Sequence, residues 1–210
     1  MAHLLHLQAS PRRLRSYSAR LAHAFLDAYR DTHPNDQLTT LNLFDIEMKP
    51  FDGSVIEAKY AILHGQKHSD QQRQAWQHVE SLINQFITAD KYILSCPMWN
   101  FSIPYRLKHY IDILAQPSYT FTFSPDTGYT GLVTGKPLCL LLARGGAYPA
   151  GSDAQTFDLQ KKYLELVFRF MGFTDIRSII VEPTLQDGPD TAQQKLDQAA
   201  QKAKTMALDF

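Results

Sequence analysis

KYILSCPMWNFSIPYRLKHYID, residues 91–112, is the stretch on which the fold turns. Tyr92, Ile93, Leu94 and Cys96 make an apolar run too short for a helix, and Pro97 stops it, so residues 91–96 read as a buried strand. After a loop at 98–102, Pro104 suits the first turn of a helix in which Leu107, Tyr110, Ile111 and Leu114 recur at spacings of three and four. A buried strand followed by an amphipathic helix is the unit of a parallel sheet covered on its faces by helices.

The alternation extends in both directions. Upstream, residues 3–9 (HLLHLQA) form a first strand ending at Ser10-Pro11. A helix follows from Ser18, carrying Leu21, Ala22, Phe25, Ala28 and Tyr29, with Ser16 or Ser18 as its N-cap. Residues 38–43 read as a second strand, 44–54 as a loop, 55–63 as a short helix and 70–89 as a long helix capped by Ser69. Downstream, Tyr119 to Phe123 (YTFTF) alternates like a strand and SPDTGYTG at 124–131 reads as turn, a β excursion before the next apolar strand, PLCLLLA at 137–143. Residues 154–171 are helical, 174–182 a strand and 190–208 a final helix. With no internal repeat or linker, the expectation is one domain, 1–210: a doubly wound sheet of five parallel strands.

The 210 residues carry 21 Lys+Arg against 21 Asp+Glu, with 44% hydrophobic and 20% charged residues, values of a globular chain with a real core. Zero net charge, with Arg12, Arg13 and Arg15 as the one basic cluster, speaks against a nucleic-acid partner. The apolar run at 137–143 is far below the roughly 18 residues of a membrane span, and the chain opens without a charged-then-apolar leader. A cytoplasmic protein is expected. Cys96 and Cys139, both in apolar strands, are expected to be structural thiols.

Ligands of an open doubly wound sheet bind beyond the carboxyl ends of the strands, where strand order reverses. In the flavodoxin-like order 2-1-3-4-5, the loops after strands one, three and four line one crevice. The first, SPRRLRSYS at 10–18, offers three hydroxyls, three arginines and the free amides of a helix start, a combination suited to phosphate. Neither GxGxxG nor GxxxxGK[ST] is present, which points away from dinucleotide and P-loop binding and leaves a mononucleotide. The third-strand loop, Met98-Trp99-Asn100-Phe101, holds two large aromatics in a turn between prolines, suited to a flat ring. The fourth-strand loop, Arg144-Gly145-Gly146, lets backbone approach a ligand closely.

Residues 10–18, 97–112 (PMWNFSIPYRLKHYID) and 128–148 (GYTGLVTGKPLCLLLARGGAY) together resemble the FMN-dependent NAD(P)H azoreductases, also described as FMN-dependent NADH:quinone oxidoreductases. The resemblance spans nearly the whole chain. It implies a homodimeric flavodoxin-like fold with bound FMN, passing hydride from NADH or NADPH to quinones or azo compounds in a ping-pong cycle. By the same resemblance Ser10, Ser16, Tyr17 and Ser18 hold the FMN phosphate, Met98, Trp99, Asn100 and Phe101 line the isoalloxazine ring, and Arg144, Gly145 and Gly146 close its far edge. Tyr119, Phe121 and Phe123 are candidates for an apolar lid over the substrate, contributed across a dimer interface, and Phe170 for the same pocket. The first loop is richer in arginine than the family pattern, Ala143 replaces a frequent Ser, and Trp99 stands where Tyr is commoner.

No catalytic side chain is expected, because the cofactor carries the redox step. No metal is expected either: His64 and His68 stand at i, i+4 without a third ligand, and His3 and His6 face opposite ways on a strand. The alternative to an enzyme is a flavodoxin-like electron carrier or regulatory flavoprotein. A carrier should be strongly acidic for docking, and this chain is neutral.

Overall fold

In the computed structural model, which describes residues 1–63 and 69–210, five strands pair side by side in parallel. The elements run β1 (His3–Gln8), α1 (Tyr17–Thr32), β2 (Gln37–Asn42), α2 (Gly53–Leu63), α3 (Asp70–Ile87), β3 (Lys91–Pro97), α4 (Tyr105–Leu114), β4 (Phe121–Ser124), β5 (Gly128–Gly131), β6 (Leu138–Ala143), α5 (Leu159–Met171), β7 (Ile176–Val181) and α6 (Gly188–Leu208). The sheet order is β2-β1-β3-β6-β7. Its numbering differs from the expected 2-1-3-4-5 because β4 and β5 pair with each other as a separate antiparallel hairpin.

That hairpin corrects the sequence reading. Residues 128–131, expected as turn, are its second strand, with Phe121 opposite Gly131 and Ser124 opposite Gly128. Gly128 enters β5 at φ 71°, a left-handed conformation that closes the loop without a Cβ penalty. Gly131 then lies against the backbone of Met171 and Gly172, where any added Cβ would collide. Glycine thus permits the hairpin to dock on the end of α5, and the Val133 N–H donates to the Met171 carbonyl at 2.8 Å.

The central strands are apolar throughout because helices cover both faces of the sheet. Leu5, Leu7, Tyr92, Leu94, Leu138 and Leu140 point into one core with α3, α4 and α5, while Leu4, Ile93, Cys139, Leu141, Ile179 and Val181 point into the other with α1 and α6. Ser69 caps α3 as its sequence suggests, its hydroxyl accepting from the Gln72 N–H at 3.2 Å. At the other end of α3, the Lys136 ammonium donates to the Ile87 and Ala89 carbonyls, satisfying the last turn.

Of the two histidines in β1, His3 and His6, it is His6 that is buried. Its ring bonds Ser95 Oγ at 2.9 Å and Thr40 Oγ1 at 3.3 Å, a polar link across β2, β1 and β3. Burial lowers its pKa from 6.5 to about 4, so the ring is neutral in the fold. The sign follows: between pH 6.5 and about 4 the unfolded chain binds a proton the folded one refuses, and stability falls as pH falls. Denaturant titrations of wild type and His6→Gln at pH 7 and pH 4.5 should show wild type losing about 2 kcal/mol more than the variant over that interval.

Candidate functional site

A cleft opens at the carboxyl ends of the strands. The first loop supplies Ser10, Arg12, Ser16 and Tyr17 to its wall, the third Pro97, Met98 and Trp99, and the end of β6 Ala143 and Gly145. The loop after β7 adds Thr184 and Leu185. Ladder hydrogen bonds continue past the strands to hold these loops in step: Ala9 N–H to the Ser95 carbonyl, Met98 N–H to Ala143, and Arg144 N–H to Val181, all 2.8 to 3.0 Å.

At the head of α1, Ser16 occupies the N-cap position but makes no capping hydrogen bond. This differs from the expected cap. Its hydroxyl instead lies 3.0 Å from Ser18 Oγ, both buried, while Ser10 Oγ is buried at the end of β1. The first-turn amides of the helix are therefore left without a capping side chain, beside three hydroxyls. Such a cradle is matched to an anion with several acceptor oxygens.

The third loop is a two-residue hairpin. Trp99 and Ser102 exchange both backbone hydrogen bonds, at 3.1 and 2.9 Å, around Asn100 (φ 46°) and Phe101 (φ 68°), the pair of left-handed residues a type I′ turn requires. Phe101 holds that costly conformation because its carbonyl accepts from the Leu159 N–H at 3.1 Å and its ring packs on Phe157. The turn presents Trp99 at 38% exposure, its indole backed by Phe44 and Tyr105 with ring centroids 6.0 and 6.4 Å away. Arg106 fixes that backing by donating to the Leu43 and Ile46 carbonyls at 2.8 and 2.6 Å.

Of the residues expected at the ligand, Ser10, Ser16, Tyr17, Met98, Trp99 and Gly145 line the cleft, and Ser18 stands directly behind Ser16. Asn100 and Phe101 shape the turn, and neither lines the cleft wall. Gly146 sits beneath the Tyr148 ring. Arg144 is a correction. Its guanidinium turns inward, fully buried, to Asp158 at 2.8 Å, Glu182 at 3.1 Å and Gln160 Oε1 at 3.1 Å. A cation so enclosed requires carboxylates around it, and the carboxylates come from α5 and β7.

The expected lid residues do not line this chain's own cleft, as a lid contributed across a dimer interface would not. Tyr119 donates to Glu80 at 2.5 Å and accepts from Trp76, part of the α3 packing. Phe121 and Phe170 meet at 4.6 Å, and Tyr129 joins them with Phe123 beside it, a cluster on the hairpin that contributes nothing to this cleft wall. Reasoning from sequence did not single out Arg12 among the first loop's three arginines, and it missed Thr184 and Leu185. The last two follow once β7 is known to neighbour β6, since Leu185 N–H donates to the Gly145 carbonyl at 3.0 Å.

Nothing in the cleft is set up as a nucleophile. Burial raises the pKa of Cys96, behind Pro97, to about 12, and of Cys139 likewise, so both remain thiols. Among the described residues no group of three or more His, Cys, Asp or Glu converges on a metal position, and His64 and His68 lie outside the described residues.

A five-stranded doubly wound sheet with an uncapped helix head, buried serines and an aromatic turn at the switch point defines a mononucleotide-binding flavodoxin-like protein. The flavodoxin-like fold family model matches residues 2–207. The chain is 48% identical over 210 residues to an FMN-dependent NADH:quinone oxidoreductase of Nitratidesulfovibrio vulgaris, covering 100% of both. It is 39% identical over 209 residues to FMN-dependent NADH:quinone oxidoreductase 3 of Pseudomonas fluorescens, covering 99% of this chain and 96% of the other. In structure it is similar to an azoreductase from Bacillus anthracis at TM-score 0.92 and 30% identity, covering 100% of both chains. It is also similar to an FMN-dependent NADH-azoreductase from the same species in complex with FMN, at TM-score 0.87 and 25% identity, covering 99% of this chain and 100% of the other. The chain belongs to the flavodoxin-like family, among the FMN-dependent NADH:quinone oxidoreductases.

If Arg144 acts on the loops and not on a ligand, Arg144→Ala should cost about 3–5 kcal/mol in denaturant unfolding by stranding buried carboxylates. That loss should already be present in the flavin-free protein, because it does not depend on a ligand.

Proposed function

We propose that this chain is an FMN-dependent oxidoreductase that takes hydride from NADH or NADPH and delivers it to quinones and azo compounds by a ping-pong mechanism. The observation that carries the reading is the joining, in one cleft, of the uncapped α1 head with its buried serines to the wall of Pro97, Met98 and Trp99. Phosphate fits the first and a flat heteroaromatic ring the second, while Gly145 lets backbone come close to the ring because it has no Cβ. In this reading Ser10, Ser16 and Ser18 hold the phosphate, and Met98 and Trp99 support the ring.

FMN supplies the redox chemistry when bound. The protein's part is to orient the ring, shield it with Trp99 and Leu185, and leave one open side that donor and acceptor occupy in turn, which is the physical content of ping-pong kinetics.

A second copy of the chain completes the reading. Leu159 and Leu166 are exposed on α5, Phe101 and Phe157 beside its head, and Phe123 and Tyr129 on the hairpin. An exposed apolar surface of this kind favours a homodimer, in which Phe121, Phe123 and Tyr129 would serve a partner's cleft instead of their own. No helix among the described residues is long and apolar enough to cross a membrane, and the two unpaired buried cysteines suit a reducing cytoplasm.

Ser16→Ala combined with Ser18→Ala should lower flavin retention at least tenfold, about 1.4 kcal/mol or more, with the visible absorption of the purified protein as readout. Wild-type protein should carry or take up FMN and bleach on anaerobic addition of NADH. A protein that does neither would overturn the flavin reading.

A further inference from the structure

Four arginines surround the head of α1, and the structure gives each a different place. The Arg13 guanidinium reaches Asp45 at 3.3 Å. Arg20 donates to Gln193 at 2.8 Å and lies over the Tyr17 ring. Arg15 stands on the surface, away from the cleft wall. Arg12 alone of the four lines the cleft, and among the described residues no carboxylate pairs with it.

The charge balance of the cradle gives this position its meaning. A phosphate monoester carries close to two negative charges at neutral pH. The serine hydroxyls are neutral, and a helix head offers about half a positive charge. Every other residue of the cleft wall is uncharged, so Arg12 is the wall's one cationic side chain. Its backbone is held at the start of the short turn Arg13–Arg15, where the Arg15 N–H donates to its carbonyl at 3.0 Å and its own N–H donates to Ser10 Oγ at 3.4 Å, and this places Arg12 beside Ser10 at the cleft wall.

We propose that Arg12 is the counter-charge of the phosphate and makes the cleft select FMN over riboflavin, an assignment that rests on the flavin reading above. Guanidinium and phosphate form charge-assisted hydrogen bonds that a hydroxyl cradle cannot replace. The isoalloxazine ring, held by Met98 and Trp99, is the same in both flavins, so Arg12 distinguishes them through the phosphate alone.

The test is a fluorescence titration of the full chain, freed of flavin, with FMN and with riboflavin at low and high salt. Arg12→Ala should weaken FMN binding about tenfold to a hundredfold and leave riboflavin binding unchanged. Added salt should weaken FMN binding to wild type more than to the variant, because the ion pair is screened. Arg15→Ala should match wild type with both ligands. FMN binding unchanged in Arg12→Ala, or an equal loss for both flavins, overturns the assignment while the flavin reading stands. Wild type that binds neither flavin overturns both.

Discussion

A buried arginine holds this site together without lining it. Arg144 follows β6, and its guanidinium is satisfied by Asp158 at the head of α5, Gln160 in its first turn and Glu182 just beyond β7. Gln160 passes the connection on, donating to the Cys96 carbonyl in β3 at 3.1 Å. The Arg144 carbonyl accepts from both the N–H and the hydroxyl of Thr184 at 2.9 Å. One desolvated cation thus ties the ends of three adjacent strands and one helix. Removing any partner would leave a charge in low dielectric, which is why the arrangement is rigid.

Three walls of the cleft hang from that knot. Pro97, Met98 and Trp99 leave β3, Gly145 leaves β6, and Thr184 and Leu185 leave β7. The fourth wall, the α1 head, follows a different principle: a local rule is broken there. Ser16 sits where a capping serine belongs, yet its hydroxyl turns to Ser18. The third loop breaks another rule by placing a phenylalanine at φ 68°. Departures from local preference gather where a protein works, because there geometry is set by the ligand and not by the chain's own stability.

Most of the fold is legible in residue spacing. Tyr92, Ile93 and Leu94 before Pro97, and Leu107, Tyr110 and Leu114 after Pro104, announce a strand and a helix because burial on two faces or on one imposes those periods. Residues 128–131 mislead because Gly-Tyr-Thr-Gly has the composition of a turn. Only the close approach of Gly131 to Gly172, 41 positions away, explains why glycine serves a strand there. Residues 153–157 mislead more mildly: they form a short tight turn, and α5 begins only where the Asp158 carboxylate accepts from the Lys161 N–H at 3.0 Å.

The sequence by itself determined the alternation of strands and helices, the loops that would meet and the residue types in them, since periodicity, prolines and glycines act within a few positions. Tertiary structure alone decided which way the loop side chains turn. Arg144 and Arg12 are the same residue type in neighbouring loops, yet one is buried by carboxylates 14 and 38 positions away and the other faces the cleft unpaired. A charged side chain in a loop goes where its partners are, and those partners are assembled only when the sheet closes.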